Sequence, residues 1–304
     1  MDDPSPLSDK TSDKQYCNNF GLNIPYLTRE EALYVRAAKQ LELEVTMIDM
    51  QFYYEVLALR VKFQDKLKVI HEKRARFISG EIPVNEDDIK CSSLIYMHDH
   101  PECVVDNLEQ VPGSKGIPKF WLNVLLNCLV TDSMIEDHDV CVLEHLVNIE
   151  STVHMNPPGF SLRFTFDFNE YFEPNVLEKQ YFYKITPSTE PPYLFDGPIL
   201  EKCTATEIHW KKNKNPTIKL IKRKQKNIRT KKSRLVTKRV HQDSFFHFFR
   251  SELNSKVAEV DHHIAIFFRD EIIPHATIYY TGEQAEHHAA DTYLPGFLNA
   301  QTLL

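Results

Sequence analysis

The chain has 304 residues, of which 42% are hydrophobic and 26% are charged, as is usual for a globular protein. It contains only 8 glycines and nowhere the pattern Gly-x-Gly, which excludes the glycine-rich loops of dinucleotide-binding and P-loop proteins. The longest apolar run, Trp121 to Val130, is far shorter than the ~20 residues of a membrane-spanning helix, so we expect no transmembrane segment.

The net charge of −7 conceals a strong asymmetry along the chain. Residues 211–239 hold 14 of the 36 Lys and Arg residues and no Asp or Glu. The rest of the chain therefore carries 22 basic against 43 acidic side chains, a net charge of −21. An acidic body favours basic partners, whereas the basic segment suggests nucleic acid, an import receptor or self-association with the acidic body.

Both ends of the chain lack a pattern of secondary structure. Residues 1–27 are acidic and polar without a signal peptide, and we expect a disordered tail. Residues 283–304 are expected to form a flexible tail as well. In the absence of a secretion signal, the six cysteines are expected to be free thiols in a reducing compartment.

A long helix is predicted over residues 28–80. Thr28 and Glu31 have the spacing of a capping box, and Gly80 lies just beyond the expected end. An apolar stripe repeats close to every 3.6 residues and comprises Leu41, Val45, Ile48, Phe52, Val56, Leu59, Phe63, Leu67 and Ile70. A second apolar stripe, from Leu43 to Val61, begins about 200° around the helix.

The two stripes predict how this helix is used. If unbroken, it approaches 75 Å at about 1.5 Å per residue, which exceeds the diameter of a compact domain and makes it protrude. A helix that is apolar on two sides needs a partner on each side. We expect one side to pack on its own domain and the other on a second copy, as an obligate homodimer. The alternative is two ordinary core helices with a break between them.

Residues 81–282 are predicted to form an α/β domain, which makes the fold class α+β. It begins with a polar insertion at 81–115. The most distinct element is the strict alternation from Phe160 to Phe168, which indicates a half-buried strand. The other predicted elements are helices at 118–129 and 135–146, strands at 176–184 and 205–211, a projecting basic hairpin at 211–240, and helices at 243–251 and 257–273.

Acidic side chains on the predicted helices are the candidate binding surface for a basic partner. They are Glu136, Asp137, Asp139, Glu144, Glu259, Asp261, Asp270 and Glu271. A single exposed carboxylate contributes little, but many together shield the charge of a basic protein. Each of them also fits an ordinary solvated helix face.

The basic hairpin resembles a nuclear import signal, which predicts a protein that shuttles between nucleus and cytoplasm. The candidate residues are Lys222, Arg223, Lys224, Lys226, Lys231, Lys232 and Arg234. Nucleic-acid binding through 211–239 is the alternative. The acidic remainder of the chain and the lack of aromatic residues in this segment oppose direct DNA binding.

Nothing in the sequence indicates catalysis. No Ser-His-Asp or Cys-His arrangement stands in a motif, and the spacing of Cys91, His98, His100 and Cys103 matches no usual zinc finger. We therefore expect no enzymatic activity, no cofactor and no metal.

Several short stretches, following a long capped helix in this order, resemble the nucleosome assembly protein family. They are Gly-Ile-Pro-Lys-Phe-Trp-Leu at 116–122, Asn-Glu-Tyr-Phe at 169–172, Trp-Lys-Lys-Asn-Lys-Asn at 210–215, Asp-Ser-Phe-Phe-His-Phe-Phe at 243–249, and Ile-Ile-Pro at 272–274 with Tyr-Tyr-Thr-Gly-Glu at 279–283. The resemblance covers roughly residues 28–283. The insertion at 81–115 favours the nucleosome-assembly branch over the related SET proteins.

The resemblance implies a homodimer joined through the long helices, an antiparallel sheet covered by helices, an acidic face for core histones, and a basic hairpin associated with nuclear import. It implies neither a cofactor nor catalysis. The chain departs from the family pattern at Asn213, where a turn glycine is usual, and at His262 and His263. Most members end in a long acidic tail, whereas 283–304 holds three acidic residues. An import or scaffold adaptor without histone affinity is therefore the alternative.

Overall fold

The computed structural model describes residues 27–85, 87–88, 115–187, 195, 197–226, 233–251 and 255–283. The helices are α1 (Arg29–Ile78), α2 (Phe120–Leu126), α3 (Leu129–Asp132), α4 (Asp137–Leu143), a 3-10 helix (Phe245–Phe249), α5 (Ser255–Phe267), a π-helical turn (Phe268–Ile272) and α6 (Ala276–Thr281). The strands are β1 (Leu146–Met155), β2 (Pro158–Phe166), β3 (Phe172–Glu173), β4 (Val176–Lys184), β5 (Ile199–Ala205), β6 (His209–Trp210), β7 (Ile218–Lys226) and β8 (Ser233–His241).

A four-stranded antiparallel sheet in the order β1-β2-β4-β5 is the centre of the fold. Along β2 the predicted inward residues Phe160, Leu162, Phe164 and Phe166 are all buried, which confirms that side of the alternation. Of the residues between them, Arg163 is exposed, Thr165 is half-buried and Ser161 is buried. The inward phenylalanines meet the ring cluster of the 3-10 helix, whose four phenylalanines are all buried. The α+β class with an antiparallel sheet is therefore confirmed.

The expectation that the alternating strand extends to Phe168 is wrong. Strand β2 ends at Phe166, and Phe168 is 85% exposed. The cause is the next residue, Asn169, whose buried side-chain oxygen accepts hydrogen bonds from the backbone amides of Tyr171 and Phe172. This Asx turn ends the strand before the alternation in the sequence ends.

Other predicted elements are shifted or missing. The predicted strand at 205–211 is replaced by β5, which ends at Ala205, and by the two-residue β6. The predicted helix at 135–146 ends at Leu143, and Leu146 instead begins β1, which was not predicted. Most of β1 is half-buried, so it lacks the clear apolar alternation of β2.

Helix α1 is a single helix, which excludes two helices with a break between them. Its predicted capping box is confirmed, because the Thr28 amide donates to Glu31 Oε2 and the Glu31 amide donates to Thr28 Oγ1. Gly80 follows its end with a φ of 69°. A Cβ at Gly80 would lie 2.4 Å from the backbone nitrogen of Gly116, so glycine permits both the turn and the close approach of the returning chain.

The structure divides into two compact units, and the division falls inside α1. The first unit contains α1 as far as Tyr54 together with residues 186–197, and in it the ring of Tyr53 meets Phe195 edge-on with centroids 5.3 Å apart. The second unit contains α1 from Glu55 onward, the sheets and the later helices.

Within the second unit, polar side chains join α1 to the sheet and to the C-terminal helices. The Gln64 amide donates to the Val153 carbonyl at 2.9 Å and accepts from the Val153 amide at 2.8 Å, so it pairs with edge strand β1 as a neighbouring strand would. Arg74 donates to the carbonyl oxygens of Ile273 and Pro274, at 2.7 and 3.2 Å. These contacts hold α1 in a defined register on its own domain.

Several sequence-based expectations lie wholly or largely outside the described residues. They concern the tails at 1–26 and 284–304, the insertion at 89–114 with Cys91, His98, His100 and Cys103, and the import candidates Lys231 and Lys232. Within the part of the chain that is described, no helix is long and apolar enough to cross a membrane.

Candidate functional site

Two of the acidic candidates stand exposed at the beginning of α4. Glu136 precedes the helix and Asp137 is its first residue. A helix N-terminus favours negative charge, which explains why acidic residues fit there. Within the described residues, neither side chain makes an ion pair, so both charges are available to a partner.

The expectation that Asp139 lies on the exposed surface is wrong, since its exposed fraction is 0%. Its carboxylate accepts hydrogen bonds from the hydroxyl of Ser244 at 2.6 Å, the amide of Phe245 at 2.8 Å and the amide of Glu136 at 3.1 Å. Asp139 therefore fixes the start of the phenylalanine-rich 3-10 helix against α4. Its role is structural, and we remove it from the candidate surface.

Asp261 is the second correction, because it is only 7% exposed. Its carboxylate accepts from Lys179 Nζ at 2.5 Å and from the Tyr181 hydroxyl at 2.8 Å, and both partners lie on β4. Lys179 is completely buried and also donates to the carbonyl of Phe248. The three contacts join α5, β4 and the 3-10 helix in the interior.

Burial disfavours the charged forms of both Lys179 and Asp261. It lowers the pKa of Lys179 and raises the pKa of Asp261, while their mutual attraction opposes each shift. A buried ion pair is tolerated only when further hydrogen bonds satisfy its atoms, as the hydroxyl of Tyr181 and the carbonyl of Phe248 do here. Asp261 is therefore unavailable to a partner protein.

Asp270 is accessible, but its charge is largely neutralised by its neighbours. Arg269 holds it in a bidentate contact at 2.8 and 2.7 Å, and Arg60 of α1 lies 3.4 Å away. Burial by itself would raise the pKa of Asp270, but the two arginines outweigh it and the pKa is lowered. Asp270 therefore anchors the π-helical turn to α1.

The three remaining acidic candidates differ in whether a basic side chain pairs with them. Glu144 pairs with Lys119 at 2.6 Å, and Glu271 lies 3.6 Å from His275. Glu259 is exposed on α5 and makes no ion pair among the described residues. The carboxylates best able to meet a partner form the set that we call the open acidic residues: Glu136, Asp137, Glu259 and Glu271.

His262 lies beside the Asp261 cluster and is enclosed by aromatic rings. Its Nε2 is 2.9 Å from the hydroxyl of Tyr183, and its ring contacts Phe160 and Tyr181. Burial, together with the charges of His263 and Arg269, lowers the pKa of His262 to about 4. The imidazole is therefore neutral at physiological pH.

The neutral state of His262 makes stability sensitive to acid, and His262→Phe is expected to reduce that sensitivity. Because the folded pKa is depressed below 6.5, the unfolded chain takes up a proton first, and stability is lost as the pH falls from 6.5 towards 4. Allowing for the partial exposure of the ring, the loss is about 1–2 kcal/mol. Urea unfolding of both proteins at pH 7.5 and pH 5 measures it, with exposed His241→Phe as control. An equal acid-induced loss in wild type and His262→Phe would contradict this assignment.

The predicted dimerisation stripe on α1 is apolar and accessible. Eight of its nine residues are exposed and Val56 is half-buried. In the second stripe, Leu57 and Val61 are half-buried within the second unit, whereas Leu43, Met47 and Tyr54 are exposed. An exposed apolar stripe of this length normally marks an interaction surface.

The basic segment forms a separate two-stranded sheet, β7–β8, which agrees with the predicted hairpin. Asn213 precedes it with a φ of 61°, and asparagine tolerates this left-handed backbone better than other residues with a side chain. Five import candidates lie in the strands: Lys222, Arg223, Lys224, Lys226 and Arg234. Their import role stays a prediction.

Two residues that matter for this region were not singled out from the sequence, namely Lys179 and Arg269. A signal existed for Lys179, because it occupies an inward position of the predicted strand 176–184, between Leu177 and Tyr181. A lysine there requires a buried acidic partner. The partner itself could not be found, since it lies 82 residues further along the chain. In the described part, no group of His, Cys, Asp and Glu residues is arranged to hold a metal ion.

This chain resembles known proteins both in sequence and in structure. The model of the nucleosome assembly protein family matches residues 34–283. Nucleosome assembly protein 1-like 1-A from Xenopus laevis is 35% identical over 273 residues, covering 83% of this chain and 69% of that protein. Human nucleosome assembly protein 1-like 4 is 32% identical over 281 residues, covering 83% and 73%. The structure of nucleosome assembly protein 1 from Plasmodium knowlesi superposes with a TM-score of 0.53 at 28% identity, covering 84% of this chain and 99% of that one. The chain belongs to the nucleosome assembly protein family.

Proposed function

We propose that this protein is a histone chaperone that acts as a homodimer and binds core histones through carboxylates on its helices. Membership of the nucleosome assembly protein family carries the proposal. The excess of acidic residues outside 211–239 supports it, because a basic histone is attracted by the summed field of such a body. No catalytic step or cofactor is part of this function.

The open acidic residues are suited to this task because the elements that carry them are held rigidly. Asp139 fixes α4, the Lys179–Asp261 pair fixes α5, and Arg269 and Arg60 fix the π-helical turn. The exposed carboxylates therefore keep their positions when a partner approaches, which lowers the entropy lost on binding. We propose that the buried acids position the exposed ones.

The homodimer is proposed from α1. Eight of the nine residues of its apolar stripe remain exposed, although Gln64 and Arg74 of the same helix make hydrogen bonds within the second unit. A second copy of the same helix offers the same apolar stripe, as a two-fold interface requires. Pairing would bury these side chains at roughly 1.5–3 kcal/mol for each one fully removed from water.

Reversing the open acidic residues is the test of histone binding. Changing Glu136, Asp137, Glu259 and Glu271 to Lys is expected to weaken binding of a core-histone pair at least tenfold, about 1.4 kcal/mol. Exposed ion pairs contribute roughly 0.2–1 kcal/mol each, and the introduced lysines add repulsion. Fluorescence titration at 0.15 M salt measures the loss, which should shrink at high salt because of screening.

The matched control reverses four other exposed acids, Asp167, Glu201, Glu207 and Asp243, to Lys. Both variants have the same net charge, so a difference between them reports position rather than total charge. If both variants bind histone equally weakly, histone binding depends only on the protein's total charge and not on the positions of these four residues. Undiminished binding in the first variant would rule out the open acidic residues as the histone site.

A further inference from the structure

The pairing of β7 with β8 distributes the basic residues in a regular way. Strands β7 and β8 contain eight Lys and Arg residues and no acidic residue. In the nine cross-strand pairs, no Lys or Arg stands opposite another: Lys219 faces Val240, Leu220 faces Arg239, Ile221 faces Lys238, Lys222 faces Thr237 and Arg223 faces Val236. Like charges opposite each other destabilise a hairpin, so this register lets a densely charged ribbon form.

The described cations of this ribbon are accessible. Lys219, Lys222, Arg223, Lys238 and Arg239 are exposed, and none makes an ion pair among the described residues. By contrast, Lys211 and Lys214, before the ribbon, are paired with Glu173 and Glu170. Most of the unpaired positive charge described in this region therefore lies on the ribbon, with Lys212 as a further exposed cation before it.

The dimensions of the ribbon match one nucleic-acid surface in particular. Nine residues at about 3.3 Å span about 30 Å, close to the ~34 Å of one turn of duplex DNA. The major groove, about 12 Å wide, admits a two-stranded β-ribbon. The phosphates that line it present one charge per ~1.7 Å of helix axis, so several lie within reach of cations on both strands.

We propose that the β7–β8 ribbon binds duplex DNA by lying along a groove, with its lysines and arginines on the phosphates of both strands. The lack of aromatic side chains opposes single-stranded binding, which depends on base stacking, but it does not affect contacts to a duplex backbone. The pairing register of β7 and β8 therefore reverses our expectation from the sequence that direct DNA binding by this segment is disfavoured. The binding is independent of base sequence because phosphates carry no sequence information.

The acidic body does not prevent this contact. At physiological salt the Debye length is about 8 Å, so acidic residues farther than that from the ribbon are largely screened from it. A chaperone with this ribbon could hold a histone and contact DNA at the same time. The proposal does not require the histone site, so the two can fail separately.

The test is fluorescence anisotropy of a labelled 20-base-pair duplex with the full chain, from 50 to 200 mM KCl. If about five phosphates are contacted, log K should fall against log salt with a slope of about −4 to −5. The variant K219Q/K222Q/R223Q/K238Q/R239Q is expected to lose at least tenfold in affinity at 100 mM KCl. The control variant R29Q/R36Q/K39Q/K184Q/K256Q has the same net charge and should stay within about twofold of wild type.

Circular dichroism and histone titration of each variant establish that the protein is folded. Binding of wild type with the expected salt slope supports the proposal even if the ribbon variant does not fold. The proposal is overturned if wild type does not bind the duplex at 50 mM KCl, or if both variants lose affinity equally. It is also overturned if wild type binds an acidic peptide or an import receptor but not DNA.

Discussion

Replacing Phe52 and Phe63 with aspartate is expected to abolish the homodimer that we propose, and this is the largest effect on assembly that we expect. Both rings lie on the apolar stripe of α1 and are 61% and 47% exposed. A dimer would bury four such rings at about 1.5–3 kcal/mol each, and the variant would bury four unpaired carboxylates instead. The loss corresponds to a dissociation constant at least a thousandfold weaker.

Analytical ultracentrifugation measures this effect. Wild type should sediment as a dimer at micromolar concentration, and the variant as a monomer or an aggregate. The control Gln40→Asp with Gln51→Asp adds the same charge to exposed polar positions of the same helix and should remain dimeric. A well-folded wild-type monomer would refute the dimer that we propose.

Breaking the buried ion pair is expected to give the largest loss of stability. Asp261→Leu leaves the ammonium group of Lys179 in the interior without its partner, which costs about 3–5 kcal/mol. For a protein of this size that is a fall in Tm of roughly 10 °C. Scanning calorimetry measures it. Because α5 is held through Asp261, the contribution of Glu259 to histone binding should fall as well.

The double variant Lys179→Met with Asp261→Leu separates an unpaired charge from a simple loss of packing. It removes both charges and keeps apolar volume, so it should recover most of the stability lost in the single variant. If single and double variants are equally unstable, the ion pair is not the reason for the loss. The exposed residues of α4 should be unaffected in either case.

The sequence by itself determined the elements whose pattern is local. The period of α1, its capping box, the alternation along β2 and the run of basic residues in β7–β8 all depend on neighbours within a few positions, and the structure has each of them. Local turn chemistry also decided the exposure of Phe168, although the apolar pattern concealed it. The family could be recognised in the same way, because its motifs are short and keep their order.

Only the tertiary structure decided which acidic residues are accessible. Glu136, Asp137 and Asp139 look equivalent along the chain. Asp139 is nevertheless buried, because its carboxylate accepts hydrogen bonds from Ser244 and Phe245, more than 100 positions away. The same holds for Asp261, which is withdrawn from the surface by Lys179. A carboxylate is stable both in water and beside a buried lysine, so its residue type and helical position do not distinguish the two environments. The distinction depends on which distant group faces it, and that is set by the packing of the sheet against its helices.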